Sequence, residues 1–185
     1  MNNPLRYTDV TGDTLDIQGS QKFINQVYEA INYLEDNGVA GVLEYLQNHE
    51  ETIIIKEGTR LDDFDYSSST NTIRFNPYSA LEVIDNNGNK TGGVQTPALG
   101  LLHEAGHAQN DVNNTLDRTP RFFDLYSNNE EYNVITNVET PAAKVLNEPI
   151  RSNHLGATRR TSCSTCTRKA TFWDKIKNTN LGWWK

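Results

Sequence analysis

The sequence predicts an α+β single domain, with a small mixed or antiparallel sheet packed on one central helix and further helices toward the C terminus. Three observations predict it. β-Branched runs of strand length occupy the first half of the chain. A segment opened by Thr96-Pro97, a capping residue followed by a first-turn proline, stands in the middle. Two more cap signals, Asn128-Asn129 and Thr140-Pro141, follow it. The 185 residues suffice for one domain with a real core. No internal repeat and no second domain is visible, so the domain is expected over 17–160, after a polar segment 1–16 and before a tail 161–185.

Each element has its own signal. Met1 to Asp16 is polar and rich in turn residues. Phe23, Val27, Ile31 and Leu34 recur at helical spacing, and Gly38 stops that helix. Val39 to Leu46 reads as a second, short helix. Thr52-Ile53-Ile54-Ile55-Lys56 is a strand, and Asp62 to Asn71, acidic and serine-rich, is expected to be loop. Asn71 to Asn76 alternates as a strand ended by Pro77. Leu81 to Ile84 reads as another strand, followed by the hairpin-like turn Asn86-Asn87-Gly88-Asn89. The Thr96-Pro97 helix comes next. Asp111 to Tyr126 lacks a period and reads as loop with a short helix near Phe122. Asn128-Asn129 caps a helix beginning at Glu130, and Thr140-Pro141 opens another that runs to about Asn147. In the tail, Trp173, Trp183 and Trp184 are expected to pack back onto the domain. Cys163 and Cys166 form a lone C-x-x-C, which reads as a local disulfide or two free thiols rather than a metal or redox site.

Composition narrows the function classes. The formal charge is −7, and the basic cluster Arg159-Arg160 with Arg168-Lys169 is small. That argues against a nucleic-acid grip, which needs clustered Lys and Arg to neutralise phosphates. No apolar run approaches the length of a membrane span, and no charged-then-apolar leader stands at the start.

The chemistry lies in His103-Glu104-Ala105-Gly106-His107, the H-E-x-x-H pattern by which zinc hydrolases hold their metal. Histidines four apart sit one turn from each other on one helix face, so both imidazoles can reach one ion. Glu104 can face the ion's open position and handle a proton there. Two ordinary helix histidines are the bland alternative. The capped, apolar-striped helix around the motif outweighs it, although Gly106 costs about 1 kcal/mol of helix stability relative to alanine. Gly106 fits that position if another segment must approach closely.

Catalytic zinc keeps three protein ligands and one open position. The third is sought among His49, His154 and the downstream carboxylates Asp111, Asp117, Asp124, Glu130, Glu131, Glu139 and Glu148. Glu130 and Glu131 open a helix and project about 100° apart, so one can bind the metal while the other braces a histidine. A solvated helix start is the plain reading of that pair, and Glu139 is the competing ligand.

Two stretches carry resemblances. Asn3-Pro4-Leu5-Arg6-Tyr7-Thr8-Asp9-Val10-Thr11-Gly12 resembles the end of the core repeat of Rhs/YD-repeat proteins, with Val10 in place of the usual proline. In that family the segment joins an encapsulating shell to a variable C-terminal toxin. The resemblance implies a toxin tip with an Rhs shell, a cognate immunity protein, and delivery into the cytoplasm of a target cell. Thr96-Pro97, Leu101 to Ala108, Glu130-Glu131, Glu139 and Pro149-Ile150-Arg151-Ser152-Asn153-His154 resemble the M91-type effector metallopeptidases, over about residues 71 to 156. This implies a zincin-like fold and a zinc endopeptidase acting on proteins. It makes Glu131 the third Zn²⁺ ligand beside His103 and His107, Glu104 the general base, and Arg151 the site arginine that stabilises the oxyanion. A salt bridge from Arg151 to Glu139 or Glu148 is the structural alternative. His154 stands where that family has tyrosine, and Ala105 where it has leucine; an imidazole can still donate a hydrogen bond. Strand 71–76 is expected to offer its edge to an extended substrate. The rivals are a non-catalytic module with a closed metal shell, completed by His154 or Glu139, and a zinc amidase or other hydrolase of a non-protein substrate.

Overall fold

The computed structural model describes residues 14–168. The Rhs-like stretch 3–12 and Trp173, Trp183 and Trp184 lie outside the described residues. Four strands form one sheet in the order β1-β2-β4-β3: β1 (Leu15–Gln18), β2 (Ile53–Glu57), β3 (Asp65–Ser67) and β4 (Thr72–Phe75). β1, β2 and β4 run parallel, and β3 runs antiparallel to β4. A second, antiparallel sheet has the order β6-β5-β7, from β5 (Ser79–Ile84), β6 (Lys90–Gln95) and β7 (Gly156–Arg160). The class is thus α+β.

The helices follow from apolar spacing and caps. In α1 (Gln21–Asp36) the Ser20 hydroxyl accepts from the Phe23 amide, and Phe23, Val27, Ala30, Ile31 and Leu34 are buried. The chain turns away at Gly38, whose φ of 68° suits glycine. α2 (Gly41–Gln47) buries Leu43 and Leu46. α3 (Pro97–Val112) starts on the Thr96 hydroxyl, which accepts from Leu99 N. Its buried residues lie all round, because α1, α2 and the four-stranded sheet pack against it. Sheet residues meet it in alternation: Ile53, Ile55, Ile73 and Phe75 are fully buried, whereas Arg74 is exposed. Last come α4 (Asn129–Val134), a π-helical turn (Ile135–Glu139) and α5 (Thr140–Val145), which follow one another without a break.

Several expectations are corrected. β1 and β3 occupy stretches read as turn and loop; each is short and polar on one side, below what alternation reveals. β6 carries Gly92-Gly93, depleted in strands, and β7 has no apolar alternation, so their pairing on β5 decides their structure. No helix forms near Phe122 in the described chain; Phe122 and Phe123 are exposed and bury nothing that would hold one. Thr140 is not a cap, since helical backbone runs through it from the π-helical turn. Strand 71–76 is not an edge: β4 is flanked by β2 and β3, and the free edge beside the central helix belongs to β3. Cys163 and Cys166 are joined as a disulfide. That short loop docks on the domain: the Ser164 carbonyl accepts from Ala98 N at the head of α3, and Gln26 accepts from Ser164 N.

Candidate metal centre

His103 and His107 project from α3 and are almost wholly buried. Their Nε2 atoms face each other at 3.1 Å. Glu131 Oε2, from α4, lies 3.3 Å from His103 Nε2 and 3.5 Å from His107 Nε2. One ligand atom from each of these three residues falls within 4.8 Å of the others, close enough that the three could hold one metal ion. α4 can come this close because position 106 has no side chain. A Cβ there would stand 2.9 Å from Val134 Cγ1, so the glycine inside the motif serves the packing of the third residue.

Both imidazoles are braced from behind. His107 Nδ1 is 2.9 Å from Glu130 Oε1, and His103 Nδ1 is 3.0 Å from Glu139 Oε2. With both Nδ1–H groups aimed at carboxylates, both Nε2 lone pairs face the common point. Glu130 also accepts from Asn110 Nδ2 at 2.9 Å and from Asp117 N at 3.2 Å. Glu139 accepts from Gln95 Nε2 at 2.7 Å and from Arg151 Nε at 2.8 Å, and it pairs again with Arg151 Nη2.

The winding of α4 and its π-helical extension places these carboxylates. Residues eight apart in a regular α-helix point about 80° apart. The π-helical turn between Glu131 and Glu139 takes up one extra residue and brings them to within about 20°. Both then address α3, one from the Nε2 side and the other from the Nδ1 side. α4 and its extension run antiparallel to α3, so Glu139 meets His103 and Glu130 meets His107.

The electrostatics follow from burial and pairing. Burial pushes Glu104 above the ordinary carboxylate range, with the two imidazoles opposing. Burial works against protonation of His107, but Glu130, Glu131 and Glu104 outweigh it and push its pKa up to about 10. Burial would raise Glu131, yet the paired imidazoles hold it well below the usual range. Glu139 is held low against its burial, chiefly by Arg151. A proton on His107 and a divalent cation are alternative partners for the same carboxylates.

Glu131 Oε2 is buried without a hydrogen-bond partner, although three imidazole nitrogens surround it. An orphaned carboxylate oxygen facing two histidine nitrogens fits a divalent cation, and the two-nitrogen, one-oxygen donor set suits zinc.

The remaining predicted residues are placed as follows. Glu104 lines the same cavity of about 270 Å³ as His103, His107, Glu131 and His154. Arg151 is buried and clasped by Glu139 through two nitrogens, with Nη2 also 3.3 Å from His103 Nδ1. The pairing weighed as its alternative is therefore present, and it makes Arg151 a support for His103. Glu139, the competing ligand, touches the Nδ1 side of His103 and so braces rather than ligates. His154 Nε2 is 3.2 Å from Glu131 Oε2, yet His154 does not belong to the close three-residue set. Its amide donates to Leu125 O, and its Nδ1 is 3.3 Å from the Ser127 hydroxyl. Ser127 has a φ of 71°, uncommon for a non-glycine residue. His49 is remote from this group: it touches Tyr45 and Glu51 N.

Sequence reasoning missed Asn110, Gln95 and the β3 residues Asp65 and Tyr66. Asn110 follows His107 by three residues on the same helix face, a signal that was available. Phe64, Asp65 and Tyr66 line the cavity because β3 is a strand rather than loop. Comparison with protein-family models, curated proteins and solved structures finds no match.

Proposed function

We propose that this protein is a zinc-dependent endopeptidase with a zincin-like fold, the toxin tip of an Rhs-type secreted protein, cleaving proteins inside a target cell. One observation carries the enzymatic part: two imidazole Nε2 atoms and a buried, unpartnered carboxylate oxygen converge beside Glu104 in a single cavity. The toxin part rests on the resemblance of residues 3–12, which also implies the shell and an immunity protein.

His103, His107 and Glu131 would hold the ion. A divalent zinc ion supplies Lewis-acid polarisation of a carbonyl and acidifies water. Glu104, its carboxyl raised by burial, is suited to take a proton from the attacking water and return it to the leaving amine. His154 is the better-placed oxyanion donor than Arg151. With Ser127 O–H donating to its Nδ1, the Nε2–H of His154 points toward the cavity. The unpaired edge of β3 borders this cavity, so an extended peptide would add to β3.

A closed, non-catalytic shell with His154 as fourth ligand is the second reading, favoured by its 3.2 Å approach to Glu131. Glu104→Gln separates the two. Under the catalytic reading the variant keeps its metal by elemental analysis but loses proteolysis and toxicity; a fully toxic Glu104→Gln protein sinks that reading.

A further inference from the structure

Beside the metal-side cavity lies a second one of about 230 Å³. The two share Phe64, His103, Glu104 and His154, so a chain bound at the first runs directly past the second. Its walls are the Phe64 ring, Ala80 and Leu81 of β5, Gly100 of α3 and Thr158 of β7. The volume is below that of small-molecule sites, about 300–1,000 Å³, and suits one amino-acid side chain. Its charge is one-sided. Asp62 stands exposed on the lining, and Glu104 adds a second carboxyl. Among the described residues lining it, Arg151 is the one Lys or Arg, and Glu139 already clasps it.

We propose that this second cavity receives one apolar side chain of the polypeptide substrate, adjacent to the bond that is cut, with Gly100 setting its depth and Asp62 excluding acidic residues. This rests on the peptidase reading above and adds the substrate class to it. Gly100 lies three residues before His103 and therefore on nearly the same helix face. A Cβ at position 100 would stand 2.7 Å from Phe64 Cε1, so any side chain there must displace a cavity wall. In an apolar pocket one methylene more or less changes specificity by about tenfold or more. An incoming carboxylate would meet Asp62 and Glu104 with no free cation to receive it, a repulsive device against one substrate class.

The test uses the zinc-loaded chain and a degenerate decapeptide library, with sequencing of the new ends. Wild type should cut with Leu- or Met-sized residues at least tenfold enriched over Asp and Glu at one position flanking the cut. Gly100→Ala should shift that position toward smaller residues, about tenfold against leucine. Asp62→Asn, at an exposed side chain, should admit Asp and Glu several-fold better, and it keeps the test alive if Gly100→Ala does not fold. Binding gives a second readout: Glu104→Gln should bind a fluorescein-labelled library hit at least tenfold more tightly than its aspartate counterpart by anisotropy. Cleavage with no preference at either flanking position, or a preference unmoved in both folded variants, overturns this inference and leaves the peptidase intact. No cleavage of any peptide by zinc-loaded wild type overturns the peptidase reading and this inference together.

Discussion

Gly106→Ala tests how the motif helix α3 receives α4. In isolation the change should help, since alanine gains about 1 kcal/mol of helix propensity over glycine. Here the new Cβ would lie 2.9 Å from Val134 Cγ1 and 3.4 Å from Val138 Cγ2. The first distance is too short for any carbon pair, and Val134 is fully buried with no room to retreat. Overpacking of this kind costs about 1–3 kcal/mol. The net expectation is a loss of about 0–2 kcal/mol in urea unfolding of the metal-free protein. Removing the obstacle should reverse the sign. In a Val134→Ala background the clash disappears, so Gly106→Ala should stabilise by about 1 kcal/mol. Metal affinity should follow, because Val134 stands one turn beyond Glu131 and any outward shift of α4 carries that carboxylate with it. Equal effects of Gly106→Ala in both backgrounds, within about 0.5 kcal/mol, would refute the packing argument.

Three further outcomes are expected. Glu130→Gln, which keeps the shape but weakens the hold on His107 Nδ1, should lower zinc affinity about 10–100-fold by competition with a chromophoric chelator. His154→Phe should lower peptide cleavage about 10²–10³-fold while leaving zinc affinity within a factor of a few; a large loss of affinity instead would favour the four-ligand shell. In the metal-free protein the folded pKa of His107 is raised to about 10 from an ordinary 6.5. The stability it contributes is therefore complete below pH 6.5 and is lost as pH rises through about 10. Zinc should remove that alkaline loss and replace it with an acid-side dependence, since protons then compete with the ion; thermal melts from pH 6 to 10 with and without zinc check this.

What could be seen in advance was whatever has a period or a cap. α1, α3 and the start of α4 announce themselves through Phe23-Val27-Ile31-Leu34, Thr96-Pro97 and Asn128, because helix ends and apolar stripes are local physics. β2, β4 and β5 show as β-branched or alternating runs. The short strands do not, since β3 and β7 exist through pairing with β4 and β5 rather than through their own residues. In the candidate site, the spacing of His103 and His107 put them on one face, and the adjacent Glu130 and Glu131 offered two directions. The roles of Glu139, Gln95 and Arg151 depend on a contact from β6 to the end of the π-helical turn and on that turn itself. Neither leaves a mark in a single sequence, and the Thr140-Pro141 pair points instead to a fresh helix start.

That wide turn makes the stretch from Glu131 to Glu139 a phase-setting spacer, which absorbs one residue without passing it on as rotation. Deleting one residue from 136–138 would let an ordinary helix form with seven steps between the two glutamates, which leaves them about 20° apart as before, so Glu139 would still face His103; inserting one residue instead would turn it away by about a quarter turn. Substitutions at the exposed Asn137 should be absorbed, and so should a single deletion there, whereas a single insertion should not. Among diverged descendants of this chain, an interval of seven residues with the wide turn, or of six without it, would be a more durable signature of the centre than the identity of any residue inside it.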